Sequence, residues 1–389
     1  MNVRHEARTA ATRRAGRCVA GVALAALGVL ACRSRDADAS SPASAVALAR
    51  APGGCVATPS SLTPSSWAPP ASSVSATEPK PMPGLGIVAD VPLPGPANRF
   101  DYQSLDPASG RLWISHMNAG RVVLFDVDSG RVVAEIPELP RVTGVWAVPD
   151  RHEVYASAAG AHEVAVIDDR TLRIVARIGG ARFPDGIAYV PDLGRVFVSD
   201  ESGQADLVID AATHARRSAI ALGGEAGNTH YDSVSRCVLV AVQTRGQLVA
   251  IDPASERVVA RYDVPGVDEP HGFTLDEARR LAFVTGEGNA VLAVVDLRTM
   301  RVTQRLSVGD GPDVLAWDPG WRRLNVAAES GDFSAYQETG DTLLSLGGMH
   351  IPHAHTVAVD PRTHRLYLPL ENVGGRPVLR VLAPAGPGS

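Results

Sequence analysis

The chain has 389 residues, 45% of them hydrophobic and 20% charged, with 37 glycines and 29 prolines. That length exceeds what one compact core usually needs, so it implies two domains or one large repeat fold. A net charge of −5 excludes a strongly basic nucleic-acid binder, four cysteines are too few for a disulfide scaffold, and a single long apolar run excludes a multi-spanning membrane protein.

The first predicted element is an export leader over residues 1–31. Arg4, Arg8, Arg13, Arg14 and Arg17 precede a 14-residue apolar stretch from Cys18 to Ala31, too short to cross the hydrocarbon as a stable helix. The stretch ends in Val29-Leu30-Ala31-Cys32, which resembles the bacterial lipobox and implies that Cys32 becomes the lipidated first residue. An ordinary signal peptide cut a few residues away is the alternative, and either form leaves the cytoplasm. Removing five arginines and one glutamate takes the net charge from −5 to −9. Residues 32–84 read as a lipidated cysteine and a flexible tether. Alanine, serine and proline make up 31 of the 52 residues from Arg33 to Gly84, which leaves too little apolar surface to offset ordering entropy. Cys55 and Trp67 are isolated there and read as incidental.

From Leu85 to Ser389 the sequence repeats. The pieces RLWIS, EVYAS, RVFVS, RCVLV, RLAFV, RLNVA and RLYLP place an aligned residue at 112, 154, 196, 237, 281, 324 and 366, a spacing of 41 to 44. A second register ends in Asp126, Asp168, Asp210, Asp252 and Asp296, and a third alternates apolar residues, as in RVVAEI and RIVARI. Each unit therefore holds four short strands bounded by Asp-Pro, Gly or Asp-x-x-Gly turns, and nothing keeps a helical period. Four strands at this period are propeller blades, and residues 85–389 make seven of about 44 residues each. The last unit ends after PVLRVLA without an outermost strand, while LGIVADVPLP from Leu85 to Pro94 precedes the first unit. The expected fold is all-β: a seven-bladed β-propeller whose N-terminal strand closes the last blade and protects its edge.

The unit from His162 to Gly203, HEVAVIDDRTLRIVARIGGARFPDGIAYVPDLGRVFVSDESG, resembles the YVTN-type repeat of the YncE-like propellers, and the other units match it more loosely. The resemblance implies the fold and an exported bacterial protein. Some relatives bind nucleic acid, and neighbouring propellers include lactonases and a streptogramin lyase; fold alone licenses none of these activities.

The starts of the innermost strands fall at Asp101, Thr143, Asp185, Asn228, His271, Asp313 and His355, all polar in an apolar context. The second-strand ends on the same face add Glu201, Glu287, Glu329 and Glu371, with His116 or Met117 from the first blade. Carboxylates with imidazoles suit Ca2+, Mg2+ or Zn2+, and Asp313, His353 and His355 are the expected metal ligands. His353 and His355, two apart in HIPHAH after His350, would share one face of a strand. His271 and Glu287 form the best general acid–base pair, and their placement is similar to the His and Glu of the streptogramin lyase. Asp101, Asp185, Asn228, Glu201, Glu329 and Glu371 would complete a ligand-binding ring; the bland reading is a hydrated channel mouth.

Cys237 falls at an apolar strand position and reads as a small core residue whose only distant partner would be Cys55. Trp113, Trp146 and Trp317 read as core, and Trp321, after a turn, as exposed. Arginines spread one or two per blade, with an acidic total, disfavour nucleic acid. The expected function is a monomeric, envelope-attached binding module that meets a protein or small molecule through its channel face. The alternative is a metal-dependent lyase or lactonase.

Overall fold

The computed structural model describes residues 54–58 and 84–384; the leader, Cys32 and Trp67 lie outside the described residues. The aspartates that end the third strands are turn-formers. Asp126 Oδ1 accepts from the Ser129 amide at 2.6 Å, Asp168 from Thr171 at 2.7 Å and Asp210 from Thr213 at 3.0 Å. Asp106, Asp232, Asp318 and Asp360 hold the first-to-second strand turns in the same way. Each bond satisfies a backbone donor that would otherwise be orphaned where the chain reverses.

These turns cut the chain into seven four-stranded antiparallel sheets. The expected seven-bladed, all-β propeller is the observed fold. In the seventh blade, Leu85–Pro92 pairs antiparallel with Arg376–Pro384, so the N-terminal strand closes the ring. Arg380 donates to both carboxylate oxygens of Asp90 across this seam, at 2.8 and 2.7 Å. The core lies between the blades. Phe197 and Val208 of blade three, for example, pack on Val238 and Val249 of blade four, all fully buried. Burying one such side chain contributes about 1.5–3 kcal/mol.

The segment 54–58 overturns one expectation. Cys55 is bonded to Cys237, 182 residues away, rather than being incidental. The Val56 amide donates to Ser235 O at 2.7 Å, the Thr58 hydroxyl to Leu297 O at 3.1 Å, and the Tyr262 hydroxyl to Thr58 O at 2.5 Å. Cys237 opens the second strand of blade four (Cys237–Val242), whose other end points at the polar mouth. The staple therefore sits on the face opposite that mouth.

Candidate functional site

At five of the blades the innermost strand breaks register with its neighbour at the polar position. The shifts fall between Val142 and Val145, Pro184 and Ile187, Ala226 and Thr229, Pro270 and Phe273, and Pro312 and Val314. A bulge releases a residue from the ladder and re-aims its side chain, here into the channel. Hydroxyls from the second strands take the freed carbonyls: Ser157 donates to Asp185 O at 2.7 Å and Thr285 to Gly272 O at 3.0 Å. The glycines in the bulges let neighbouring blades converge, since a Cβ at Gly144 would lie 1.9 Å from Asp185 O and one at Gly272 2.0 Å from Asp313 O.

All seven positions of the expected ring are buried polar residues: Asp101, Thr143, Asp185, Asn228, His271, Asp313 and His355. His271 lies 3.8 Å from each of Asp185, Glu287 and Asp313. Two groups have ligand atoms mutually within 4.8 Å, Asp101–Asp313–His355 and His271–Glu287–Asp313, and Asp313 belongs to both. Thr143 donates to Pro184 O at 2.8 Å and so serves the backbone.

Burial pushes the Asp313 carboxyl up to about 6, held back by His271 and His355, and pushes Glu201 up to about 7, with the Asp185 charge adding to it. Asp101 and Asp185 are likewise raised by burial. At His271 burial favours the neutral ring, but the charges of Glu287, Asp313, Asp185 and Glu201 outweigh it and the pKa is raised. At His355 burial and Arg99 prevail and the pKa is lowered. The site thus crowds acids where solvent cannot screen them.

Two residues that matter were missed in the sequence. Tyr102 reaches from blade one across the channel. Its hydroxyl donates to Asn228 Oδ1 at 2.5 Å and lies 3.2 Å from His271 Nε2 and 3.4 Å from Asp185 Oδ2. The signal was available, because the aligned position is glycine at 144, 186 and 272. Arg99 binds Glu329 at 2.6 Å and lies 3.7 Å from Asp313. Beyond Tyr102 the channel widens into a cavity of about 550 Å3, lined in part by Trp146, His230, Phe273 and Trp317. Trp146 and Trp317 therefore face this cavity, while Trp113 is core as expected.

Several expected members lie elsewhere. His353 shares no strand face with His355: it occupies a turn at φ 68° after Pro352, its side chain is 48% exposed, and it lies 3.7 Å from Glu371. That pair forms part of the rim. His350 pairs with Asp332 at 2.9 Å on an outer strand. His116 is stacked on Phe100 with centroids 4.0 Å apart, and burial lowers it to about 4. Trp321 is half-buried rather than exposed, between His364 at 4.2 Å and Arg323 at 4.8 Å.

No known family profile matches the chain, and no curated protein sequence does. Among solved structures the chain is similar to Kuenenia stuttgartiensis hydrazine synthase, with a TM-score of 0.62 at 18% identity, over 76% of this chain and 98% of that one. At that identity the likeness is one of fold.

Proposed function

We propose that the protein is an exported, lipid-anchored propeller of the YVTN type that works as a monomeric binding module, taking a small cationic ligand at the polar mouth of its channel. One observation carries this reading. Asp101, Asp185, Asp313, Glu201, Glu287 and Glu329 gather at one end of the channel, where Arg99, His271 and His355 are the cationic groups paired with them among the described residues, and four of these carboxyls are raised by burial. A bound cation relieves that repulsion, whereas an anion would add to it.

Export is supported by the leader, by the resemblance of His162–Gly203 to the YVTN repeat, and by the Cys55–Cys237 disulfide, which favours an oxidising compartment. Anchoring is tested by labelling with a radioactive fatty acid, which Cys32→Ser should abolish. Binding is tested by melting curves with putrescine, spermidine, Mg2+, Ca2+ and Zn2+. At least one should raise the melting temperature of the wild type and not of Asp313→Asn. A panel without any shift would sink the reading.

A second reading is a lyase or lactonase. It is favoured by His271, whose two ring nitrogens face Glu287 at 3.8 Å and the Tyr102 hydroxyl at 3.2 Å, an arrangement able to hold and pass a proton. A screen of lactones and cyclic esters with wild type and His271→Ala decides it.

A further inference from the structure

We infer that the mouth is a divalent transition-metal centre with Asp313 as the common ligand, one ion at Asp101–Asp313–His355 and a second at His271–Glu287–Asp313. The inference rests on reading the mouth as a cation site and names the cation.

The imidazoles carry the argument beyond the acids. His355 Nε2 lies 2.8 Å from the Phe100 carbonyl, which accepts only from a protonated nitrogen, so Nδ1 keeps the lone pair. His271 repeats the device. With the Tyr102 proton given to Asn228, the Tyr102 oxygen accepts from His271 Nε2–H at 3.2 Å, which in the neutral ring leaves the lone pair on Nδ1; an ion bound there takes the place of the proton that the surrounding carboxylates otherwise favour. Among the described residues that Nδ1 is buried without a hydrogen-bond partner, on a residue only 8% exposed, and it faces Glu287. A buried nitrogen left unmade costs about 1–3 kcal/mol, which a metal bond offsets. Fixing the free nitrogen through a bond at the other one is how protein histidines are presented to metals.

The donor set selects the ion. One imidazole and two carboxylates per position suit Zn2+ or Mn2+ better than Ca2+, which takes six to eight oxygens. Tetrahedral zinc spaces its donors roughly 3.4 Å apart, so side-chain rotations of about 1 Å would close groups now within 4.8 Å. Arg99 does not displace the ion, because its close contact is to Glu329 at 2.6 Å and it stands 3.7 Å from Asp313 Oδ2; Asp313 Oδ1 lies 3.8 Å from His271 Nε2, so sharing an ion with Nδ1 and Glu287 requires this carboxylate to turn along the ring edge.

The test uses the full mature chain, purified without a histidine tag and titrated with Zn2+ calorimetrically, with Co2+ as a visible-absorption probe. Two equivalents should bind, with a melting temperature that falls in EDTA. Asp313→Asn should weaken both positions at least 100-fold. Glu287→Gln should remove one equivalent and leave the other. Tyr102→Phe, which keeps the fold but not the hydroxyl, should weaken the second position 10–100-fold and change the Co2+ spectrum, as a purely structural residue would not. His353→Ala, on the rim, should change nothing. Saturation at one equivalent with no effect of Glu287→Gln overturns the second position. Absence of Zn2+ and Co2+ binding overturns the whole inference; if spermidine still binds and Asp313→Asn abolishes that, the cation-binding reading survives it, and otherwise both fall.

Discussion

Asp206 should make the propeller less stable as pH rises, and replacing it should remove that dependence. It occupies a third-strand position that is Val122, Val164, Leu248 and Leu292 in other blades, and like them it is 0% exposed. Among the described residues neither carboxylate oxygen has a hydrogen bond of good geometry; the neighbouring Thr229 hydroxyl and the Val198 backbone are its nearest polar groups. Burial pushes this carboxyl from 3.8 up to about 7, a rise that Thr229 and the Val198 backbone only partly oppose. The folded state therefore holds its proton more tightly than the unfolded chain, so the associated stability is complete below about pH 4 and is lost as pH climbs through 7. Three pH units at 1.36 kcal/mol each give a loss of about 4 kcal/mol, of which roughly 2–3 kcal/mol falls between pH 5 and pH 8. Guanidinium unfolding followed by tryptophan fluorescence, with the disulfide intact, measures this. The advantage of Asp206→Val over wild type should grow by that amount from pH 5 to pH 8. Taking the difference cancels the raised acids at the mouth, and Asp206→Asn should flatten the pH dependence with a smaller gain. An advantage that is constant with pH would show that the carboxylate is ionised and satisfied in the folded protein, and the reasoning would be wrong.

Reduction of Cys55–Cys237 should cost about 2–5 kcal/mol, because the bond closes a chain separation of 182 residues; a melting temperature unmoved by dithiothreitol would contradict this. Gly272→Ala should destabilise by several kcal/mol, since its Cβ would meet Asp313 O at 2.0 Å, whereas Gly179→Ala, with nothing within 4 Å, should be close to neutral; equal denaturation midpoints would refute the bulge argument. Deleting 85–92 should bare the edge of Arg376–Pro384, and size-exclusion chromatography should show self-association.

Much of the fold was legible because its signals are local. An aspartate that caps a turn must recur wherever the turn recurs, so Asp126, Asp168 and Asp210 mark the blade period without knowledge of packing. The ring positions were legible for a related reason: a bulge that points a side chain into a channel needs a polar residue where its neighbours are apolar. Pairings across the ring had no such signal. Tyr102 sits one residue from Asp101, yet its partners Asp185, Asn228 and His271 are 83 to 169 residues away, and only ring closure brings them together. Composition hid Cys55, because an Ala/Ser/Pro-rich segment with little apolar surface gives no sign that one of its residues is fastened to a blade. His353 failed through backbone geometry: Pro352 and the positive φ that follows turn the chain, so alternation, valid only on a strand, put both histidines on a face that does not exist.

That failure sharpens the reading of the mouth. With His353 on the rim beside Glu371, the imidazoles that remain are those whose Nε2 is tied to a neighbour from another part of the ring, Phe100 for His355 and Tyr102 for His271. Both anchors lie in the stretch from Phe100 to Tyr102 that opens blade one, directly after the strand that closes blade seven. The geometry of the site therefore depends on closure of the ring. Loss of the Leu85–Pro92 strand should abolish Zn2+ uptake even in protein that stays soluble, and retained uptake in that truncation would separate the site from the closure.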